Sequence, residues 1–483
     1  MKKYQIPEDQ RNLVAAVRSA AIVLLVGFLG YLADPVAILN AFFPIMVLAI
    51  ALGGSVPKLQ HFWHKNYPVI LLSLAFVCAV ACIHAGYSGY TYSAMYGYVG
   101  FLLSVLPALA LGKIMYFKGG EAGYASPKQN LTMLVIGMLM GNIVGTAAVV
   151  AMLGPTWIRA NRSHWKNHHF AFFMLLVLNM GPAFVPTGPP LLAALLKGIS
   201  PDFWFINGYY ALITMVCLVV VFYLVDAHSF DKTKKQKLGL SFSGAKYWPA
   251  LVMFLFTTLT IGRGLPFDSS ITPTLNKWLS SVTSSKFVLD SSIDLIRWAI
   301  QIIVLAYVLK VAWKVSTEAR KSFGSYSWSF FSVSNKELVV VFLALFIALP
   351  PIEHAAAHFV EAHPLGTTTK AFAIMGFSSV ADNFIALLLG MSSEMAQQGW
   401  TDPASLETLG RTSLILMGMF AMYGGALTYI GNAPNLSFLE YYREIRQANP
   451  NMPEEMSFFG LTARMMPWAV LASLICLGLT YIL

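Results

Sequence analysis

The sequence predicts an all-α polytopic membrane protein built as an inverted repeat, with two re-entrant hairpins and two broken transmembrane helices. Three observations predict it. The 483 residues are 57% hydrophobic and only 11% charged, against roughly a quarter charged in soluble domains. The apolar runs approach about 20 residues, the length of a helix that crosses a bilayer. Twice, in opposite orientation, a run with both ends on one side by charge is followed by a run broken with Gly, Pro and Asn.

The same composition narrows the partners. The net charge is +10, but the basic residues fall in short blocks between apolar stretches, as in cytoplasmic loops, and this argues against nucleic acid. Cys78, Cys82, Cys217 and Cys476 lie inside apolar runs with no metal spacing and read as small hydrophobes. No nucleotide-binding loop, Ser-His-Asp order or dinucleotide fingerprint appears, which argues against ATP-driven transport within this chain.

Lys/Arg excess gives the course of the chain. Lys2, Lys3, Arg11 and Arg18 put the N-terminus in the cytoplasm, and a retained first span covers 12 to 33. The run 36 to 54 returns to a loop with Lys58, His61, His64 and Lys65, and 68 to 86 goes out to a Tyr-rich external segment, Gly86 to Tyr98. After 99 to 116, the stretch 131 to 157 starts on an inside loop and ends at another, carrying Arg159, Arg162 and Lys166 among His164, His168 and His169, which read as interfacial loop residues. Both ends inside implies a hairpin, with its tip at Gly141-Asn142 and Gly145-Thr146. Such irregular backbone survives at membrane depth only where protein or a wet cavity surrounds it. The run 169 to 198 is then broken at Asn179-Met-Gly-Pro and Pro186-Thr-Gly-Pro-Pro, and 203 to 226 returns to the most basic loop, with Lys232, Lys234, Lys235, Lys237 and Lys246.

The second half repeats this upside down. Runs 247 to 263, 293 to 313 and 337 to 351 lead to an acidic, histidine-rich external loop, and 367 to 393 leaves from it and ends at another acidic loop. This second hairpin holds Met-Gly-Phe-Ser-Ser-Val-Ala-Asp-Asn, 375 to 383, and 412 to 439 is broken at Tyr423-Gly-Gly and Gly431-Asn-Ala-Pro-Asn. The resulting divisions are 1–128 (scaffold helices), 129–227 (first repeat), 228–246 (basic cytoplasmic linker), 247–366 (second scaffold) and 367–483 (second repeat).

Ionisable groups inside membrane segments are costly and are functional candidates by default, which singles out Asp382. Beside it stand Asn383, Ser378 and Ser379, with Asn432 and Asn435 at the second break; Asn142, Thr146, Thr187 and Gly188 occupy matching places in the first repeat. An oxygen-rich, thiol-free set with one carboxylate suits Na+ or a proton and not a soft metal. The structural alternative for Asp382 is a carboxylate bonded to a helix start.

These motifs resemble a known family. Ser-Ser-Val-Ala-Asp-Asn (378–383), Gly-Asn-Ile-Val-Gly-Thr (141–146), Thr-Gly-Pro-Pro (187–190) and Gly-Asn-Ala-Pro-Asn-Leu (431–436) look like the hairpin and Gly-x-x-Pro-Asn motifs of the ion transporter superfamily, which includes NhaD-type Na+/H+ antiporters and citrate and dicarboxylate carriers. The first repeat departs from the pattern, with no Asn in Thr-Gly-Pro-Pro-Leu-Leu to match Asn435. The resemblance implies a homodimer, each subunit with a scaffold and a moving transport domain.

Together these readings give a secondary transporter of the bacterial inner membrane. The leading expectation is Na+/H+ antiport by competition at Asp382, with Na+ as transported or coupling ion, H+ as its counterpart, and no cofactor. The alternative is a Na+-coupled citrate or dicarboxylate symporter, where helix N-termini and Asn142, Asn432 and Asn435 would grip a carboxylate. A third class, an intramembrane enzyme, rests on Glu353-His354-Ala-Ala-Ala-His358, whose two histidines have a zinc-compatible spacing but lack the adjacent Glu of a zincin. Glu353, His354, His358 and His363 are also candidates for pH sensing.

Overall fold

The computed structural model describes, with gaps of one or two residues, 57–119, 123–184, 208–231, 239–259, 292–319, 364–409 and 411–482, with short pieces within 21–30, 273–281 and 339–347. Helix α1 is Pro57–His84 and α2 is Ser88–Ile114. Both exceed expectation at the polar end, since the segments around 58–65 and 88–98 are helical turns and not loops. Pro57 suits a first turn, where the missing N–H would have had no partner. Neither segment contains an internal helix breaker beyond an isolated Gly, so the span continues past the apolar stretch.

The chain forms two compact units, one of residues 1–99, 331–443 and 453–483, the other of 100–330 and 444–452. The second of these holds the first repeat. Its hairpin is α3, Pro127–Val144, and α4, Thr146–Asn161, packed on each other. Gly145 makes the break, with φ 79° and ψ 159°. Only glycine adopts that backbone readily, so the sequence places the turn there by chemistry. Ser126 caps the start, its N–H donating to Gln129 Oε1 at 2.7 Å.

The broken helix that follows is α5, Asn167–Phe172, widening into a π-helix at Phe173–Met180 and tightening into a 3₁₀ turn at Gly181–Phe184. Asn179, fully buried, donates Nδ2 to the Met174 carbonyl five residues back, at 2.7 Å. Every residue of the π segment is buried, as expected of a helix that is apolar all round. Helix α6, Tyr209–Ser229, closes the repeat. Its exposed Leu212, Val216, Val220 and Leu224 recur every fourth residue, one continuous apolar stripe facing outward.

A small antiparallel ribbon interrupts the helical design, β1 Tyr116–Lys118 pairing with β2 Ser241–Ser243. Phe117 meets Phe242 edge-on across it, with centroids 5.2 Å apart. Helices α7, Trp248–Leu259, and α8, Ser292–Ala319, pack together, and Gln301 reaches Ser104 Oγ at 3.3 Å.

The other unit holds the second repeat. Helices α9, Thr367–Ser378, and α10, Asn383–Gln398, form its hairpin. A π turn at Arg411–Ile415 leads into α11, Leu416–Gly425; irregular backbone follows, and α12 resumes at Ala433–Ala448. Helix α13, Phe458–Ile482, ends the described chain. Hairpin followed by interrupted helix is therefore present twice in an all-α polytopic membrane protein.

Candidate functional site

The second repeat assembles its site around the gap between α9 and α10. Ser379 N–H still bonds the Met375 carbonyl at 3.2 Å and Val380 N–H the Phe377 carbonyl at 3.0 Å, so α9 ends over Ser378–Val380. Asp382 then starts the next helix, its carbonyl accepting Ala386 N–H at 2.9 Å. It is 5% exposed and precedes the first residue of α10, where unpaired N–H groups favour an anion. Asp382 thus stands at a helix start, as its structural alternative has it, with its carboxylate buried there.

Ser378 is fully buried, with Oγ 2.6 Å from the Ala421 carbonyl and 2.9 Å from Asn383 Oδ1. A hydroxyl has one proton, so it cannot donate to both. The geometry closes when Ser378 donates to Ala421 and Asn383 presents its amide N–H to Oγ, which ties both hairpin arms to the broken helix α11. Ser379 donates Oγ to the Gly376 carbonyl at 2.7 Å, and its own carbonyl accepts the hydroxyl of Thr428. Thr428 also accepts Gly431 N–H at 3.1 Å. Motif reading missed Thr428, although a hydroxyl inside a Gly-flanked break was the available signal.

Asn435 uses its amide N–H groups within the protein. Its Nδ2 donates to the Gly425 carbonyl at 2.7 Å and to the Thr428 carbonyl at 2.9 Å, covering two acceptors that the interruption of the helix leaves without backbone donors. Its backbone N–H bonds the Asn432 carbonyl at 3.0 Å, and Asn432 itself is buried. Close approach is built in by glycine: a Cβ on Gly424 would lie 2.1 Å from the Met375 carbonyl, so α9 and α11 touch backbone to backbone.

Toward its base the same hairpin contains a buried ion pair, Lys370 Nζ with Glu394 Oε2, joined by Gln398 Nε2 on Glu394 Oε1 at 3.1 Å. It links the two arms, and Glu394 lies within α10 although the sequence predicts an acidic external loop after 393. Charge on opposite arms of a hairpin is a pattern that becomes visible only once the arms are paired.

In the first repeat, Asn142 turns its Nδ2 back to the Met138 carbonyl at 3.0 Å and is half-buried, while Thr146 is buried at the first residue of α4. Thr187 and Gly188 lie outside the described residues, as do Glu353, His354, His358 and His363.

A second polar centre in that repeat went unforeseen. Asp226, 1% exposed, sits inside α6 near its end and faces His168 Nε2 at 3.0 Å and His169 Nε2 at 2.8 Å through the same oxygen. Asn130 Nδ2 donates to its other oxygen at 2.9 Å. His168 and His169 are therefore interior residues and not interfacial loop residues, because α5 begins at Asn167 and carries them inward. Three ligand-type atoms converge, but a metal does not fit: His169 Nδ1 accepts Lys166 N–H at 3.1 Å, which fixes the proton on Nε2, the atom a metal would need.

Comparison with known proteins gives a broad family match and weak matches to solved structures. A solved structure of MtrF from Neisseria gonorrhoeae, described within a class of antimetabolite efflux pumps, is 13% identical and aligns over 92% of this chain and 94% of its own, with a TM-score of 0.32. A superposition that loose carries no argument. No curated protein matches. The model of the family "Putative citrate transport" matches residues 32–482. Two hairpins, two interrupted helices and that match over nearly the whole length agree, and the chain belongs to this citrate-transport family of membrane transporters.

Proposed function

We propose that this protein is a secondary carrier that exchanges Na+ and H+ in competition at Asp382, by alternating access. The observation that carries the reading is the placement of that buried carboxylate in the hairpin break, beside the tie among Ser378, Asn383 and the Ala421 carbonyl. Either ion neutralises the acid, and moving the bare carboxylate through lipid would cost its desolvation, so only the loaded site moves. Ser379 and Asn432 supply further oxygens, while Asn435 holds the break. The local charge balance favours cation exchange: in this hairpin the buried Lys370 is already neutralised by Glu394. A homodimer in the bacterial inner membrane is part of the proposal.

The second reading is a Na+-coupled carrier of citrate or a dicarboxylate, and the family description favours it. Both readings place the cation at Asp382. Purified protein in liposomes separates them: internal alkalinisation or acidification driven by a Na+ gradient supports exchange, whereas labelled citrate uptake that needs Na+ supports symport. Asp382→Asn is expected to abolish whichever is found, and full retained activity would remove the carboxylate from the mechanism.

A further inference from the structure

We propose that His168 and Asp226 form a proton-binding site in the first repeat, separate from Asp382, in which His168 takes the proton and His169 cannot. The bonding pattern leads there. Asp226 accepts from both imidazoles through one oxygen, so with a charged carboxylate each ring carries its proton on Nε2. His169 is also engaged at Nδ1, which accepts Lys166 N–H. A second proton on that ring would set N–H against N–H. His168 Nδ1 is the nitrogen of the pair that neither Asp226 nor Lys166 occupies, and His168 keeps 9% of its side chain exposed while His169 keeps none.

The amides around the carboxylate are locked in the same sense. Asn130 and Asn161 exchange hydrogen bonds of 2.9 and 3.0 Å, and Asn161 Nδ2 also donates to the Trp157 carbonyl at 3.0 Å. This leaves Asn130 only an N–H to turn toward Asp226; flipped, it would face the carboxylate with an oxygen. So α3 and α4 present amides to the centre, α6 presents Asp226, and α5 presents the two histidines. The loop before α5 adds Lys166, with an exposed side chain, and His164, whose ring lies 5.2 Å from that of His169 and which burial holds below the usual imidazole range. With both imidazoles neutral the buried centre has one net negative charge. One proton on His168 turns it into a neutral ion pair joining the start of α5 to the end of α6. The adjoining loop is the basic one, so the site reads cytoplasmic pH by the positive-inside rule.

The proposal does not rest on which cargo is carried, and its test needs none. Only His168 among the ten histidines follows an asparagine. Labelling Asn with carbonyl 13C and His with 13C and 15N therefore marks its backbone without mutation, the His168 carbonyl in turn marks His169, which alone follows a histidine, and intraresidue correlation reaches both rings. The full-length protein in lipid bilayers would be titrated by solid-state NMR from about pH 8 to about pH 5, the span over which imidazoles change charge. The expected result is conversion of His168 from the neutral Nε2–H form to imidazolium while His169 stays neutral. Asp226→Asn is expected to abolish that conversion. A His168 neutral throughout, a His169 that takes the proton, an Nδ1–H tautomer on either ring, or unchanged titration in Asp226→Asn would overturn the proposal.

Discussion

Ser378 has one hydroxyl proton, and the Ala421 carbonyl takes it while the Asn383 amide donates to Oγ, which makes its contribution measurable. Ser378→Ala leaves the buried Ala421 carbonyl without its 2.6 Å donor, a loss of about 1–3 kcal/mol for an unmet polar group. It is expected to raise the apparent KM for the cation several-fold in liposomes while leaving the protein folded. Asn435→Ala uncovers two carbonyls at once, and the purified protein is expected to lose thermal stability by about 1–3 kcal/mol. Its chief effect should be on stability, with little preference between Na+ and Li+. At this scale the sequence was informative wherever cost marked a residue: Asp382 in an apolar run, and Ser378 and Asn383 beside it, all proved buried. The same rule would have found Asp226, but the apolar run was cut at that residue, whereas α6 continues to Ser229. Burial of His168 and His169 could not be read at all, since it depends on α5 turning a basic, loop-like stretch inward.

The hairpins and broken helices are set by single residues whose backbone has no substitute. Gly145 holds φ at 79°, so Gly145→Val is expected to cost about 1–3 kcal/mol in strain and to lower the yield of folded protein on a fluorescence-detected sizing column. The base of the second hairpin depends on charge instead. Removing one partner of Lys370–Glu394 leaves the other buried and uncompensated, a loss of about 3–5 kcal/mol, whereas replacing both by apolar residues of similar volume is often neutral. Lys370→Met alone should therefore reduce thermal stability sharply, and Lys370→Met with Glu394→Leu should recover most of it. Legibility follows the same division: the breaks at Gly145, at Gly425 and before Ala433 were visible as Gly, Pro and Asn in apolar runs, while the tie from Thr428 to Ser379 spans 49 residues and has no local signature.

At the scale of the molecule, the pattern of charge and hydropathy specified a polytopic helical protein, and the family match over residues 32–482 agrees. What it could not supply was the ribbon of β1 and β2, where three residues on either side of the first repeat pair, among described residues that are otherwise helices and their connections. A reporter enzyme fused within residues 232–238 is expected to be active on the cytoplasmic side, and activity on the outer side would reverse the assigned orientation. The ribbon also has a mechanical meaning. It brings 116–118 beside 241–243, so that the chain leaves and rejoins the flanking helices at a cinched neck. The neck joins the end of α2 to the start of α7, while Gly112 of α2 also lies against Ala151 of α4, so loosening the ribbon should leave the first repeat held to its flanks by helix packing alone.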